Sequence, residues 1–286
     1  MSTSETTEIV TPTFILGGTP KAGTTSVYHY LDQHPQVCMS ARKETSVFID
    51  DKSLEWLFEN YYRHYDGERA VGEASAGTLG NPAVAERVYG ALPDVQLIFV
   101  LRDPVDRLYS HFTFLQSSRA IDPDRSFSEF IRSETEWRTT LIDLGRYHRH
   151  LSRFEKYFDR DQMLVLLFED LKTDAEEFME SVYRFIGVEP SFRPSFDVQN
   201  QTRRPRFNGV YRLLSKIWAS VQERVSVYAV KHTQPLRRAV KRLVTEEAER
   251  PPMTEADKRY LQDIYHEPNR KIEGWLGQDL SHWKSV

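Results

Sequence analysis

Thirteen residues near the N-terminus, Phe14-Ile-Leu-Gly-Gly-Thr-Pro-Lys-Ala-Gly-Thr-Thr-Ser26, constrain the fold more than any other stretch. A short apolar run breaks into a glycine-bearing loop and then into a segment with helical spacing. That order describes a buried strand, a tight loop and a helix N-terminus. Backbone N–H groups converge at such an N-terminus, the helix dipole adds positive potential, and Lys21 contributes a mobile charge, so the loop is suited to hold a phosphate. It departs from the G-x-x-x-x-G-K-[ST] nucleotide loop, which would need lysine at position 24, where the chain has Thr24. A nucleoside triphosphate is therefore not the expected ligand.

A second segment narrows the choice. Val95-Gln-Leu-Ile-Phe-Val-Leu101 reads as a buried strand and runs directly into Arg102-Asp-Pro-Val-Asp-Arg-Leu-Tyr-Ser110. The rigid fork of Arg102 and the hydroxyl of Ser110, carried on the following helix, suit a phosphate monoester. Two phosphate sites on one sheet edge imply a nucleotide phosphorylated at both ends.

With these residues in view, the chain resembles the sulfotransferases that use 3′-phosphoadenosine 5′-phosphosulfate (PAPS), in particular the bacterial small-molecule type related to the heparan sulfate sulfotransferase domain. Pro20-Lys-Ala-Gly-Thr-Thr-Ser26 is similar to that family's 5′-phosphosulfate loop, and Arg102 with Ser110 to its 3′-phosphate motif. The resemblance extends through Gly145-Arg-Tyr-His-Arg-His-Leu151, Val165-Leu-Leu-Phe-Glu-Asp-Leu171, Phe185-Ile-Gly-Val188 and Leu276-Gly-Gln-Asp-Leu-Ser-His-Trp283. It implies PAPS as donor with no metal required. The nucleotide would be bound by Lys21, Ala22, Gly23, Thr24, Thr25, Ser26, Arg102 and Ser110.

The resemblance also assigns roles. Lys21 would stabilise the leaving 5′-phosphate. Arg42-Lys-Glu-Thr-Ser-Val-Phe48 resembles the Lys-Glu-x-x-x-Phe element of the heparan-type enzymes, which makes Glu44 the general base, with burial expected to raise its pKa. A surface pair with Lys43 or Arg42 is the structural alternative for Glu44. The steroid and phenol sulfotransferases use histidine instead. Between Glu44 and Arg102 the chain offers only His64, which ranks below Glu44; His111 and His148 are possible helpers. Where the heparan type often has Glu-Lys-Ser, this chain has Glu73-Ala-Ser75, so a second catalytic lysine is missing. That departure speaks against a polysaccharide and for a small-molecule acceptor with a hydroxyl or amine.

The fold expected is α/β: a single domain with a parallel β-sheet flanked by helices, the P-loop-like sulfotransferase fold. Strands at 13–18, 70–72, 95–101 and 163–168 alternate with helices at 24–34, 81–91, 104–117, 126–134, 146–158 and 173–187. Residues 1–11 read as a disordered leader and 12–286 as the domain. Within it, 203–250 forms a basic helical insert or lid. Residues 203–242 hold eleven Lys or Arg against one acid, Glu223, and Tyr211, Leu214, Ile217, Trp218, Val221 and Val225 fall at helical spacing. One of Arg203, Arg204 and Arg206 could reach the 3′-phosphate.

The net charge of −4 over 286 residues gives no general attraction to nucleic acid. The polar N-terminus, the lack of an 18-residue apolar run and a single cysteine, Cys38, expected to be buried, fit a cytoplasmic protein without a transmembrane segment. The aromatic-rich stretches 56–65 and 207–228 suit an apolar acceptor. Two other functions compete: an ATP-dependent phosphotransferase, which would need the absent Walker lysine, and a non-catalytic nucleotide-binding protein, which would have no use for a base.

Overall fold

The computed structural model describes residues 9–196, the backbone of 203–205 and 245–247, and residues 253–284. Five strands form one parallel sheet: β1 (Phe14–Leu16), β2 (Val37–Met39), β3 (Ala70–Ala74), β4 (Gln96–Leu101) and β5 (Met163–Leu167). Their order across the sheet is β2-β3-β1-β4-β5. Around them lie α1 (Thr24–Leu31), α2 (Leu54–Tyr61), α3 (Val84–Ala91), α4 (Pro104–Ser118), α5 (Phe127–Arg132), α6 (Glu136–Asp143), α7 (Tyr147–Phe154), α8 (Phe168–Thr173), α9 (Ala175–Phe185) and a long C-terminal α10 (Glu255–Leu276).

The strands are near-continuous apolar runs because both sheet faces are covered. Side chains alternate between the faces with the period of two of an extended chain. From β4, Leu97, Phe99 and Leu101 join Ile15 and Val71 in one layer, packed with Val84 and Val88 of α3, Leu151 and Phe154 of α7, and Trp283 of the tail. Ile98 and Val100 join Phe14, Leu16, Ala70 and Ala74 in the other, under Val27 and Leu31 of α1 and Phe178, Val182 and Tyr183 of α9. A third cluster, built from α4, α5, α6 and α10 around Phe112, Phe130 and Leu261, lies beside the sheet.

This topology positions the site. After β1 the chain turns toward β3 and β2, whereas after β4 it turns toward β5. The carboxyl ends of β1 and β4 thus flank a crevice at the switch point, where open parallel sheets bind ligands. Gly18 occupies the closest approach between them: a Cβ there would lie 2.3 Å from the backbone nitrogen of Val100.

Several elements differ from expectation. The helix expected over 146–158 ends at Phe154, and α1 ends three residues before the position expected. Strand β2 and helices α2, α6, α8 and α10 lack sequence counterparts in the expected set. Val10, in the stretch read as a leader, packs against the core, and residues 1–8 lie outside the described residues. So does most of the basic segment, including the helix expected around Tyr211–Val225. There β6 (Arg203–Pro205) pairs antiparallel with β7 (Thr245–Glu247). No helix among the described residues is long and apolar enough to cross a membrane.

Candidate active site

The loop after β1 is built for backbone donors. Gly23, the N-cap of α1, has φ of 86° and supplies no capping side chain, which leaves the first N–H groups of the helix uncapped. A Cβ at Gly23 would also stand 2.7 Å from the ring of Phe168. Lys21 itself adopts a left-handed φ of 73°, a conformation that carries strain in a non-glycine residue and is found more often at binding loops. Its ammonium lies 4.5 Å from the centroid of the exposed Phe114 ring, within cation–π range. The cradle fits a phosphate on the chemistry of its donors.

At the end of β4, Asp103 caps α4: its Oδ1 accepts from the N–H groups of Val105 and Asp106 at 2.8 and 2.9 Å, and Pro104 occupies the first helical position. This fixes α4 so that Arg107, Ser110, His111 and Phe114 fall on neighbouring turns of one face. Ser110 is buried. Arg102 donates from Nη1 to the carbonyl oxygen of Lys21 at 3.1 Å, and its guanidinium stacks 4.8 Å from the centroid of Phe168. Tyr147 donates to the carbonyl of Arg102 at 2.6 Å. The two phosphate motifs, 81 residues apart in sequence, are therefore directly connected.

The C-terminal tail closes the back of this motif. Trp283 is buried, the backbone N–H of Lys284 donates to Oδ2 of Asp103, and its ammonium pairs with Asp106 at 2.6 Å. Phe114, Phe168, Tyr147 and Lys284 were not among the expected site residues. A signal existed for Phe114, four residues beyond Ser110 on the same helix face, and for Phe168, the first residue after β5.

Glu44 stands in the loop after β2. Its N–H donates to the carbonyl of Ala74 at 2.7 Å, and Oε2 accepts from the N–H of Ala76 at 3.0 Å. The loop therefore lies over the end of β3, the neighbour of β1. The expectation of a buried Glu44 is not met: its side chain is 47% exposed and Oε1 pairs with Lys43, because the loop runs along the outer edge of the sheet. The buried carboxylate is Glu73, fully enclosed, whose pKa is pushed up to about 7, chiefly by burial.

Nε2 of His64 lies 3.1 Å from the carbonyl oxygen of Met39 and 3.5 Å from Sγ of the buried Cys38. His111 is held neutral, its pKa lowered to about 3 by burial first and then by Arg107 and Lys21. Residues 56–65 are also spent mainly on packing, with Leu57, Tyr61 and Tyr62 buried in the core and Trp56 and Phe58 against it. The side chains of Arg203, Arg204 and Arg206 lie outside those described. No group of three or more His, Cys, Asp or Glu that could hold a metal occurs among the described residues.

A membrane-associated sulfotransferase of Dictyostelium discoideum is 30% identical over 175 residues, 58% of this chain and 37% of that protein. A bifunctional heparan sulfate N-deacetylase/N-sulfotransferase of Homo sapiens is 28% identical over 217 residues, 69% of this chain and 23% of that protein. The chain thus spans well under half the length of these relatives. In fold it is similar to a sulfotransferase from Alicyclobacillus acidocaldarius, with a TM-score of 0.69 at 24% identity, covering 96% of this chain and all of that one. It is also similar to a mouse sulfotransferase solved with PAP, with a TM-score of 0.52 at 13% identity, covering 92% of this chain and 89% of that one. Residues 11–275 match the sulfotransferase domain, and the chain belongs to that family.

Proposed function

We propose that this protein transfers the sulfuryl group of PAPS to a hydroxyl or amine of a small-molecule acceptor. The observation that carries the reading is the convergence of the Pro20–Ser26 loop and the Arg102–Ser110 motif on one crevice, joined by the bond from Arg102 to Lys21. Such a crevice accommodates a nucleotide with phosphates at both the 5′ and 3′ positions. The uncapped N–H groups at Thr24 and Thr25, with Lys21, would hold the 5′ end; Arg102 and Ser110 would hold the 3′-phosphate. The mouse relative's complex with PAP is consistent with that assignment.

When bound, PAPS supplies an activated sulfuryl group whose departure leaves charge on a phosphate oxygen. Lys21 and the N-terminus of α1 offer positive potential to that charge as the sulfur–oxygen bond breaks. Glu44 takes the proton from the acceptor hydroxyl or amine as the new bond to sulfur forms. Its exposure leaves it open to an arriving acceptor, and release of Lys43 would free Oε1 for the proton. Ala74, in place of the lysine expected of polysaccharide-type relatives, supports a small acceptor.

Calorimetric titration with PAP, ADP and ATP in the absence of magnesium tests the donor. Tight binding confined to the 3′-phosphorylated nucleotide is expected, whereas preference for ATP would replace this reading with a phosphotransferase. Transfer that survives chelation by EDTA is the companion expectation.

A further inference from the structure

Glu73 is a buried carboxylate at this edge whose chemistry the proposed reaction leaves unused. It points from β3 into the layer shared with α2 and α7 and is 0% exposed. One oxygen is crowded with donors: Oε1 accepts from Oγ1 of Thr45 at 2.5 Å and from Oγ of Ser75 at 2.6 Å. The other, Oε2, is buried with no hydrogen-bond partner. A carboxylate would leave that oxygen charged and unsolvated, whereas a carboxylic acid carries the proton on Oε2 and keeps both bonds at Oε1.

These bonds run straight into the loop that holds Glu44. Thr45 follows Glu44 directly. Ser75, while donating to Glu73, accepts from the backbone N–H of Ser46 at 2.9 Å. The loop is bent on either side of Thr45 by left-handed residues, Glu44 with φ of 61° and Ser46 with φ of 57°. Such conformations persist only where surrounding bonds enforce them. The enforcing bonds are those to Glu73 and Ser75, together with the Glu44 N–H to the carbonyl of Ala74 and the Glu44 Oε2 from the N–H of Ala76.

We propose that Glu73 is a positioning residue, a neutral carboxylic acid that clamps the Arg42–Ser46 loop to the end of β3 and so fixes Glu44 at the carboxyl edge of the sheet. The surroundings favour the neutral form. Glu44 faces Glu73 with like charge, and Lys43, which opposes it, is already paired with Glu44. From the segment after α2, Tyr62 approaches and donates to the carbonyl of Gly72 at 2.7 Å, with Cys38 of β2 and Tyr28 of α1 beyond it. Ile15, the partner of Glu73 on β1, is apolar. Opening the clamp lets Glu73 reach water and ionise at its ordinary pKa, so rising pH favours the open loop between about pH 4.5 and pH 7.

The link to turnover rests on Glu44 being the base, but the clamp itself is read without any substrate. Amide hydrogen exchange of the full chain should show protection at Glu44, Ser46 and Ala76 falling by up to about tenfold per pH unit between about pH 4.5 and pH 7 and level above it, the signature of one proton lost on opening. In Glu73→Gln, an amide of the same shape that never ionises, protection at these three positions should stay level from about pH 4.5 to pH 7. Level protection in the wild type, or the same fall in Glu73→Gln, would overturn the proposal. If the variant does not fold, the wild-type profile decides alone. Titration with PAP, expected to be unchanged in Glu73→Gln, reads the nucleotide site separately, so failure there speaks against the donor assignment and leaves the clamp standing.

Discussion

Arg102 reaches the carbonyl oxygen of Lys21 at 3.1 Å while its guanidinium lies on the ring of Phe168. A residue proposed to hold one phosphate thereby also fixes the backbone of the loop proposed to hold the other. That backbone is left-handed at Lys21, and a charged donor on its carbonyl helps to keep it so.

Arg102→Ala is accordingly expected to do two things. It should weaken PAP by roughly 1.5 to 3 kcal/mol, the scale of a hydrogen bond to a charged group, and weaken adenosine 5′-phosphate by less, through the loosened loop. Calorimetry with both nucleotides separates the effects. Equal losses would remove Arg102 from the 3′ site.

Gly23→Ala should damage both halves of the site. The new methyl group sits at a φ of 86°, which costs on the order of 1 kcal/mol, and stands 2.7 Å from Phe168, whose ring supports Arg102. The ring must shift, and the Arg102 stack with it. Thermal unfolding should show a loss of about 1 to 3 kcal/mol, and PAP affinity should fall beyond what stability explains. A variant with wild-type PAP affinity would show that Phe168 does not couple the two motifs.

The parts of the site carried by local order were legible in the sequence. An apolar run followed by Pro20–Ser26, and another followed by Arg102-Asp-Pro, announce a strand, a loop and a helix through short-range rules alone. The topology then places both at one edge. What was not legible depends on neighbours distant in sequence. Val37–Met39 is too short to show a period, and becomes a strand because β3 offers it an open edge. The exposure of Glu44, which was expected to be buried, has a cause of the same kind. Which carboxylate faces water depends on how the loop after β2 lies over β3, and no spacing within 42–46 encodes that.

Glu44→Gln tests the proposed base. The amide keeps an oxygen that can accept from the N–H of Ala76, so the loop should hold and PAP should bind as before. Turnover should drop by about 10²-fold or more, the usual contribution of a general base. Steady-state rates at saturating PAPS, beside PAP calorimetry, provide the check. A rate within a few-fold of wild type would mean that another group takes the proton, and His111, held neutral with a pKa near 3, would be too weakly basic for that task.

The buried acid makes a separate prediction about stability. Burial lifts the Glu73 pKa from its ordinary 4.5 to about 7 in the folded protein. Between those values the folded chain binds a proton that the unfolded chain has released. Its contribution is therefore fully present below about pH 4.5, declines as pH rises through the window, and is lost above about 7. The separation corresponds to roughly 3 kcal/mol, an upper scale because water can enter as the acid ionises. Glu73→Gln has no such proton to lose. Its unfolding temperature relative to wild type should rise between pH 5 and pH 7 and level off above that, whatever the offset between the two proteins at pH 5. Parallel curves across that range would show that Glu73 ionises in the folded protein as readily as in the unfolded one, and that the charge is accommodated beneath the Glu44 loop.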